Sequence, residues 1–392
     1  MPIGSGSPAV PPEDARMRPP PASIGDAVEA IDTPALVVDL DAFERNLQTM
    51  AGFAAARGLA LRPHAKMHKC AAVALRQIAL GAVGVCVQKT GEAEALAAAG
   101  VRDIYVSNEV VAPAKLARLA ALAHQVRLGI AVDSALGIER LAQALRAAGS
   151  SADVYVEVDV GQGRCGVAPD AAAELARRVL ERRADGLRLA GLQAYHGGAQ
   201  HLRSADERAA AVGFTVASVR AARAALAAAG IEGVRVTGAG TGSFSFEAAS
   251  GTLDELQPGS YAFLDAEYAA IEPAPGAPRF EHALFVKAGV MSRNARQCVV
   301  DAGHKSHAID AGLPTVWGRP DLRCAGANDE HAILRPVQEG APLPSLGEAL
   351  WLVPGHCDPT VNLHEHLVAV RGGLAAGRVE AIWRVDARGA FD

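Results

Sequence analysis

Short apolar runs alternate with alanine-rich helical runs over most of this chain of 392 residues. Such alternation of strand and helix patterns predicts a parallel sheet whose crossover helices cover it. Eight of these units favour a (β/α)8 barrel of the TIM type over an open doubly wound sheet. The predicted barrel strands are residues 61–64, 83–88, 103–107, 127–133, 153–159, 189–196, 233–237 and 259–264.

The pattern changes at the proline cluster of residues 273–278. Beyond this cluster, β-rich runs follow one another without long helical patterns, which predicts a smaller C-terminal β domain. We therefore expect a barrel domain over residues 33–272 and a β domain over residues 279–392. Residues 1–22, which are rich in Pro, Gly and Ser, are predicted to form a disordered tail.

Composition excludes several classes of partner. The net charge is −5, no basic tract occurs, and aromatic residues make up only 4% of the chain, which argues against nucleic acid as the main partner. No apolar run is long and uninterrupted enough to predict a membrane span. Six cysteines without a CxxC pair fit free thiols in a reducing compartment, so we expect a cytoplasmic protein.

The first candidate for chemistry is Lys66, in the run RPHAK at residues 62–66. Alternation along a strand places Arg62, His64 and Lys66 on one face, with the lysine at the carboxyl end where barrel enzymes keep their active sites. A desolvated lysine beside other cations has a lowered pKa and can act as an amine nucleophile. A basic surface turn is the alternative interpretation.

Polar residues also end the strands predicted at 153–159 and 189–196. Arg164, on the glycine-rich loop that follows the first of these strands, could donate to a cofactor oxygen or pair with Glu157 or Asp159. Tyr195 could reach a ligand with its hydroxyl group or fill the barrel core. His201 follows in the next loop, where an isolated histidine is usually solvated.

The strongest glycine signal is TGAGTG at residues 237–242, directly after a predicted strand. Small residues let backbone N–H groups approach an anion, and the loops after the seventh and eighth barrel strands are the usual phosphate site. The run matches neither the Walker pattern nor GxGxxG, so a plain tight turn remains an alternative.

The last candidate is the run GHCD at residues 355–358. If it is a strand, His356 and Asp358 point to one side and Cys357 to the other. One imidazole and one carboxylate make a sparse metal site, whose nitrogen and oxygen ligands suit Mn²⁺ or Mg²⁺ better than a closed zinc cage.

Taken in order, these motifs resemble the D-threonine aldolase and D-serine dehydratase-like family, which has the alanine racemase type of pyridoxal-phosphate fold. The matching segments are HAK, VDVGxxRCGV, GLQAYHG, VTGxGTG, ELQPGSYxFLD, DAGxKS, NDEH and GHCDPTVNLH. The resemblance covers nearly all of the chain after about residue 30. It departs from the family pattern at Met67, where threonine is usual, and at Ala239, where glycine is common.

The resemblance implies roles for particular residues. Lys66 would hold pyridoxal phosphate covalently, and His201 would be the catalytic base. His356 and Asp358 would bind a divalent metal, with Mn²⁺ favoured and Mg²⁺ or Co²⁺ also compatible. The remaining coenzyme contacts would come from Gln88, Arg164, Tyr195, Gly240, Thr241, Gly242 and Tyr261. The strand at residues 34–40 would join the β domain, and two chains would form a homodimer.

The implied reaction cleaves D-3-hydroxy-amino acids such as D-threonine, D-allo-threonine or D-phenylserine to glycine and an aldehyde. The alternatives are a D-threo-3-hydroxyaspartate aldolase and a dehydratase of D-serine or D-threo-3-hydroxyaspartate. Dehydratase relatives tend to hold zinc through an HxC pair, and here Asp358 replaces that cysteine. A coenzyme carrier without catalysis and a metal-dependent barrel without pyridoxal phosphate are further alternatives.

Overall fold

The computed structural model describes residues 19–392, which form two β-sheets. The first is an eight-stranded parallel sheet in the order β2-β9-β8-β7-β6-β5-β4-β3. Its ends meet because Val83 N donates to Leu61 O and Cys86 N to Pro63 O, both at 2.9 Å. The strands are β2 (Ala60–Leu61), β3 (Val85–Val87), β4 (Asp103–Glu109), β5 (Arg127–Val132), β6 (Ala152–Glu157), β7 (Leu187–Ala194), β8 (Arg235–Gly238) and β9 (Glu255–Leu256).

Helices follow the barrel strands, so the predicted (β/α)8 architecture is confirmed. Successive side chains of β6 face opposite sides of the sheet. Val154 and Val156 join the large apolar core, whereas Tyr155 lies in a separate buried cluster with Tyr105 and Cys86. The helices of this part are α1 (Leu40–Ala55), α2 (Ala71–Ala79), α3 (Thr90–Ala98), α4 (Pro113–Leu122), α5 (Ala135–Ala148), α6 (Ala172–Glu181), α7 (Ala205–Ala228), α8 (Phe244–Ser250) and α9 (Ala266–Ala269).

The second sheet has nine strands and is mostly antiparallel. β1 (Ala35–Asp39) belongs to it, because it pairs with β10 and β16 rather than with a barrel strand. The remaining elements are β10 (Leu284–Arg293), β11 (Cys298–Val300), β12 (Thr315–Val316), β13 (Leu322–Ala327), β14 (Ala332–Pro336), β15 (Ala349–Val353), α10 (Cys357–Leu363), β16 (His366–Arg371), α11 (Gly373–Ala376) and β17 (Arg378–Arg384).

The eighth barrel strand lies earlier than the sequence predicts. The strand is Glu255–Leu256, and the run at 259–264 contains a short 3-10 helix, Ser260–Ala262. That run is apolar because it packs against α1, not because it is a strand. The strand itself is short and carries a buried glutamate, so its pattern was not apolar enough to recognise.

Two further expectations concern the chain ends and the membrane. Of the tail predicted to be disordered, residues 1–18 lie outside the described part of the chain. Its last residues are described and held in place, because Pro21 O accepts a hydrogen bond from Asp32 N at 2.8 Å.

Within residues 19–392, α7 is the one helix long and apolar enough to cross a bilayer by length and composition. It packs against α6 and α8, as a core helix of a barrel does.

The N-terminal end of the barrel is closed by a buried ion network. Arg62 Nε lies 3.0 Å from Glu255 Oε1, and Arg62 Nη1 lies 2.5 Å from Asp103 Oδ1. Arg62 and Glu255 are almost completely buried. A charge in that position is tolerated only with a partner, because its desolvation cost is otherwise uncompensated.

We expect Arg62→Met to lower the free energy of unfolding by about 3–5 kcal/mol, because it leaves the Glu255 carboxylate buried without its cationic partner. Urea denaturation measures this loss. The matched control is Arg45→Met, which breaks the half-exposed pair between Arg45 and Glu281 and should cost no more than about 1 kcal/mol. Equal losses for the two variants would contradict the role of burial.

Candidate functional site

A cavity of about 280 Å³ lies at the carboxyl ends of the barrel strands, where the β domain covers the barrel. Side chains from the barrel and from the β domain line it, including His64, Lys66, Gln88, Arg164, Tyr195, Thr241, Tyr268 and Asp358. A larger open groove of about 490 Å³ lies on the other side of Thr241 and Tyr268, which line both spaces. Of the reactive groups that the sequence indicated, Lys66 and Asp358 line the smaller cavity, whereas His201 and His356 do not.

Lys66 reaches across the cavity to the β domain. Its Nζ lies 2.6 Å from Asp358 Oδ2, and this carboxylate raises the pKa of the lysine despite its burial. The sequence had suggested a lowered pKa from cationic neighbours, and this is wrong because the close carboxylate outweighs them. Burial acts to raise the pKa of Asp358, but the Lys66 cation holds it below its usual value.

His64 lies in the wall beneath Lys66. Its Nε2 is 3.0 Å from Gln88 Nε2 and 3.2 Å from Ser107 Oγ. Burial, followed by the nearby Lys66 cation, lowers the pKa of this histidine well below its usual value. His64 is therefore a neutral wall residue that also fixes Gln88, a role that the lone RPHAK motif did not reveal.

Arg164 and Tyr195 meet on the opposite wall. The Arg164 guanidinium lies over the Tyr195 ring, with its Cζ 5.7 Å from the ring centroid. Asp159 is engaged elsewhere, because its Oδ1 accepts from Gly161 N at 2.9 Å and Gly163 N at 3.1 Å. Burial raises the pKa of Tyr195, so its hydroxyl group keeps its proton at neutral pH.

The glycine-rich run forms a concave backbone turn beside the cavity. A Cβ on Gly240 would lie 2.4 Å from Gln200 Oε1, and one on Gly242 would lie 2.4 Å from Gln200 O, so neither position accepts a larger residue without movement. Gly242 N donates to Gln200 Oε1 at 2.9 Å. Ala239 has φ 67°, in the left-handed region that favours glycine. Alanine at this position, where the family pattern commonly has glycine, therefore strains the backbone.

Tyr261 lies beneath this turn. Its backbone N–H donates to Thr241 Oγ1 at 3.1 Å, and its hydroxyl accepts from Gln77 Nε2 at 3.1 Å. The ring is buried and is not part of the cavity wall. Tyr261 thus shapes the glycine-rich turn through its backbone rather than reaching the cavity with its hydroxyl group.

A buried carboxyl group supports the same turn from below. Ser243 Oγ donates to Glu247 Oε2 at 2.7 Å and accepts from Gln200 Nε2 at 2.7 Å. Burial raises the pKa of Glu247 to about 7. Gln200, Ser243 and Glu247 were not singled out from the sequence, because they lie in separate segments that only the fold brings together.

The run GHCD is the start of a helix and not a strand. α10 begins at Cys357, with His356 as its N-cap and Asp358 in its first turn. The assumption of a strand is wrong because a run of four residues does not distinguish the two periods, and an acidic residue in a first helical turn is favoured by the helix dipole. His356 Nε2 nevertheless lies 3.7 Å from Asp358 Oδ1, and Cys357 is buried away from both.

Two aspartates to which the sequence analysis assigned no role hold this turn. Asp265, which caps α9, accepts from Cys357 N at 2.9 Å and from Tyr268 N at 2.9 Å. Asp310 Oδ2 lies 2.7 Å from His356 Nδ1. The two potential ligands are thus fixed from the barrel side and from the β-domain side.

His201 lies at the rim rather than on the cavity wall. It ends a short 3-10 helix, Gly197–His201, and its side chain is half exposed. Its Nδ1 is 3.5 Å from Glu267 Oε1, and its ring centroid is 5.8 Å from that of Tyr268, which does line the cavity.

A second group of potential ligands lies at the ends of β4, β5 and β6. One atom each of Glu109, Asp133 and Cys165 lies within 4.8 Å of the others. Burial raises the pKa of Cys165 to about 11, and burial with the neighbouring Glu109 raises that of Glu157 to about 9. The Cys165 thiol is therefore protonated at neutral pH, and Glu109 Oε1 is buried without a hydrogen-bond partner.

Comparison with known proteins agrees with this geometry. The family model described as alanine racemase, N-terminal domain, matches residues 38–267, and the one described as putative serine dehydratase domain matches residues 283–370. The chain belongs to the alanine racemase-like family. The resemblance predicted from the motifs is therefore confirmed.

Individual relatives narrow the group within the family. The chain is 50% identical over 372 residues to D-threonine aldolase of Arthrobacter sp., which covers 95% of this chain and 96% of that protein. It is 43% identical to 3-hydroxy-D-aspartate aldolase of Paracoccus denitrificans (strain Pd 1222), covering 94% and 95%. The crystal structure of D-threonine aldolase from Filomicrobium marinum superposes with a TM-score of 0.92 at 50% identity, covering 96% of this chain and 100% of that one. The chain is accordingly an enzyme of the carbon–carbon lyase class.

The buried Glu247 generates a pH-dependent prediction. Because its pKa is about 7 in the folded state against 4.5 in its usual range, the folded protein retains a proton that the unfolded chain loses. Stability should therefore fall as pH rises through this window, by on the order of 3 kcal/mol.

Glu247→Gln keeps an acceptor for Ser243 and removes the titration. Its free energy of unfolding, measured by urea denaturation between pH 4.5 and 7, should fall less with rising pH than that of the wild type. Parallel pH profiles for the two proteins would show that Glu247 is ionised in the folded state.

Proposed function

We propose that this chain is a D-threonine aldolase, dependent on pyridoxal phosphate and a divalent metal, that cleaves D-3-hydroxy-amino acids to glycine and an aldehyde. The observation that carries the proposal is the meeting of Lys66 with the His356 and Asp358 turn in one cavity. The Lys66 amine, a potential nucleophile, lies 2.6 Å from Asp358, one of the two potential metal ligands, although the two residues are far apart in the sequence. This reaction requires both an amine and a metal site.

The residues present fit the coenzyme. Lys66 supplies a primary amine for covalent attachment, and the turn of Gly240, Thr241 and Gly242 offers the small, close backbone that a phosphate group needs. Arg164, Tyr195 and Gln88 line the same cavity, where they would contact the ring.

The residues also fit a metal ion. Asp358 Oδ1 is buried without a hydrogen-bond partner, and His356 Nε2 is the nearest ligand atom, 3.7 Å away. A cation shared by these atoms satisfies both of them. We propose Mn²⁺, because one imidazole and one carboxylate favour a harder ion, with Mg²⁺ or Co²⁺ as substitutes.

The chain's own groups account for the proton transfers. Pyridoxal phosphate, once bound, supplies an electron sink for the pair released from the Cα–Cβ bond, and the metal supplies a Lewis acid for the β-hydroxyl group. His201 accepts the hydroxyl proton, directly or through water, and the carboxylate of Glu267 beside its Nδ1 stabilises the resulting cation. The products are an aldehyde and glycine, and the hydroxyl proton that His201 would accept balances the proton that Cα gains.

The cavity favours substrates with an uncharged side chain. Among the residues that line it, the cations are Lys66 and Arg164, since His64 is neutral. Both cations are assigned to the coenzyme, so none remains for the second carboxylate of 3-hydroxyaspartate. We therefore propose D-threonine and its analogues as the substrates. D-threo-3-hydroxyaspartate is the second candidate, because the relative from Paracoccus denitrificans is a 3-hydroxy-D-aspartate aldolase.

A dehydratase reaction on D-serine or D-threo-3-hydroxyaspartate is the remaining alternative. The metal pair has a carboxylate, Asp358, where dehydratase relatives have a thiolate. Cys357 does not restore that thiolate, because it is completely buried and its pKa is raised well above its usual value, first of all by burial.

We also propose that two chains form a homodimer and that the protein is located in the cytoplasm. The family resemblance suggests the dimer, and the six free cysteines suggest the location.

Lys66→Ala should abolish covalent attachment of the coenzyme. Borohydride reduction followed by peptide mass spectrometry should place pyridoxal phosphate on Lys66 in the wild type, and the variant should lack both this adduct and the visible absorption band. Lys69→Arg is the control, because that neighbouring lysine is paired with Glu92 and should not carry the adduct. An adduct on Lys69 would overturn the assignment.

The metal and the reaction are tested together by product analysis. With D-threonine and Mn²⁺, glycine and acetaldehyde should form in equal amounts, and chelation or His356→Ala should abolish them while the coenzyme stays bound. Cys357→Ala should keep its metal dependence, because the thiol is not a ligand. Release of ammonia with a keto acid would favour the dehydratase, and full activity in chelator would exclude the metal.

A further inference from the structure

We propose that Asp310 is a positioning residue of the metal site: its carboxylate holds the ring of His356 so that Nε2 faces Asp358. This inference rests on the proposed function for the metal, and it adds a residue that the motifs did not indicate. His356 Nδ1 lies 2.7 Å from Asp310 Oδ2, and Nε2 lies 3.7 Å from Asp358 Oδ1. One ring nitrogen is therefore occupied by Asp310, and the other faces the second ligand.

The chemistry of imidazole explains why this contact matters. A neutral histidine has one N–H donor and one free lone pair, and the hydrogen bond to one nitrogen decides where the lone pair lies. With Nδ1–H donating to Asp310, the lone pair is on Nε2. A carboxylate on the far side of the ring also makes the ligand nitrogen more basic, as in other carboxylate–histidine–metal arrangements.

The segment that carries Asp310 is fastened to the metal turn by further contacts. Thr360 Oγ1 accepts from Ala308 N at 3.0 Å and donates to His356 O at 2.7 Å, and Thr360 is completely buried. Gly355 packs so closely on the same segment that a Cβ there would lie 2.3 Å from Gly312 O. The position of Asp310 relative to His356 is thus set by backbone contacts on both sides.

The Asp310 contact has little to do with stability. The Asp310 side chain is 55% exposed, and an exposed ion pair contributes little to folding. The hydrogen bond is nevertheless short and lies on the nitrogen opposite the metal face. Its effect should therefore appear in metal affinity and not in the free energy of unfolding.

The same domain contains a matched pair for comparison. His304 Nε2 lies 2.9 Å from Asp329 Oδ1, and Asp329 is also exposed. This second carboxylate–imidazole contact has a similar length and exposure but lies outside the metal turn. Removing it should change surface charge by the same amount without affecting the ligands.

The test measures the dissociation constant of Mn²⁺ for the coenzyme-loaded protein, by the electron paramagnetic resonance signal of free Mn²⁺. Asp310→Ala should bind Mn²⁺ about 10–100-fold more weakly than the wild type. Asp310→Asn, which still accepts the Nδ1 hydrogen, should lose less, and Asp329→Asn should bind like the wild type. Coenzyme absorption and the urea midpoint should stay unchanged in all three variants.

Each other outcome contradicts the proposal in a distinguishable way. An Asp310→Ala protein that binds Mn²⁺ as tightly as the wild type shows that His356 needs no positioning. If Asp310→Asn and Asp310→Ala both lose Mn²⁺ as completely as His356→Ala, Asp310 is itself a ligand. If His356→Ala binds Mn²⁺ like the wild type, the metal site under the proposed function is wrong, and the role of Asp310 falls with it.

Discussion

The contact between Lys66 and Asp358 is the interaction on which the site depends. It joins a residue at the mouth of the barrel to one in the β domain, 292 positions apart in sequence. The amine alone would belong to a lysine in the turn that follows a short strand, and the carboxylate alone would be an acidic residue in a helical first turn. The cavity exists because the two domains close over each other at this point.

Backbone contacts maintain that closure, so the ion pair does not have to. Ala266 N donates to Pro354 O at 3.0 Å and Glu267 N to Gly355 O at 3.2 Å, while the Asp265 carboxylate accepts from Cys357 N. These three bonds attach α9, which follows the last barrel strand, to the turn that carries His356 and Asp358. The Lys66 amine can therefore exchange its partner without separating the domains. This freedom matters because an amine bound to a carboxylate as a cation must give up its proton before it can act as a nucleophile.

The sequence predicts the barrel well and the contacts within the site poorly. Strands such as β6 were recognised because alternation places Val154 and Val156 outward and Tyr155 inward, and this pattern is local. β9 was misplaced because it is two residues long and carries Glu255, whose burial makes sense only with Arg62 opposite it. His356 and Asp358 were identified as a pair although their segment begins a helix and is not a strand. The pair was still found because their side chains also lie close together at the start of a helix. Asp310 and Gln200 could not be identified, because nothing in their own segments indicates which distant residue they contact.

The barrel interior explains how such a polar site is compatible with a stable fold. Barrels of this type are usually filled by layers of branched apolar side chains, but here a chain of hydrogen bonds crosses the interior. Tyr105 and Gln257 both donate to Gln193, Gln257 donates to Thr237, and Thr237 donates to Glu255, at 2.7–2.9 Å. Glu255 in turn pairs with Arg62 at the closed end.

Each group in that chain would be costly if it were buried alone, and each makes at least one hydrogen bond to a neighbour in the chain, although Glu255 Oε2 is left without a partner. Gln193 and Gln257 also line the cavity that contains Lys66, so the network carries polar groups from the ion pair at the base of the barrel to the floor of this cavity. The apolar core lies outside the barrel, between the strands and the helices, and it supplies the stability that the interior does not. This division lets the mouth of the barrel hold charged and reactive groups while the molecule stays folded.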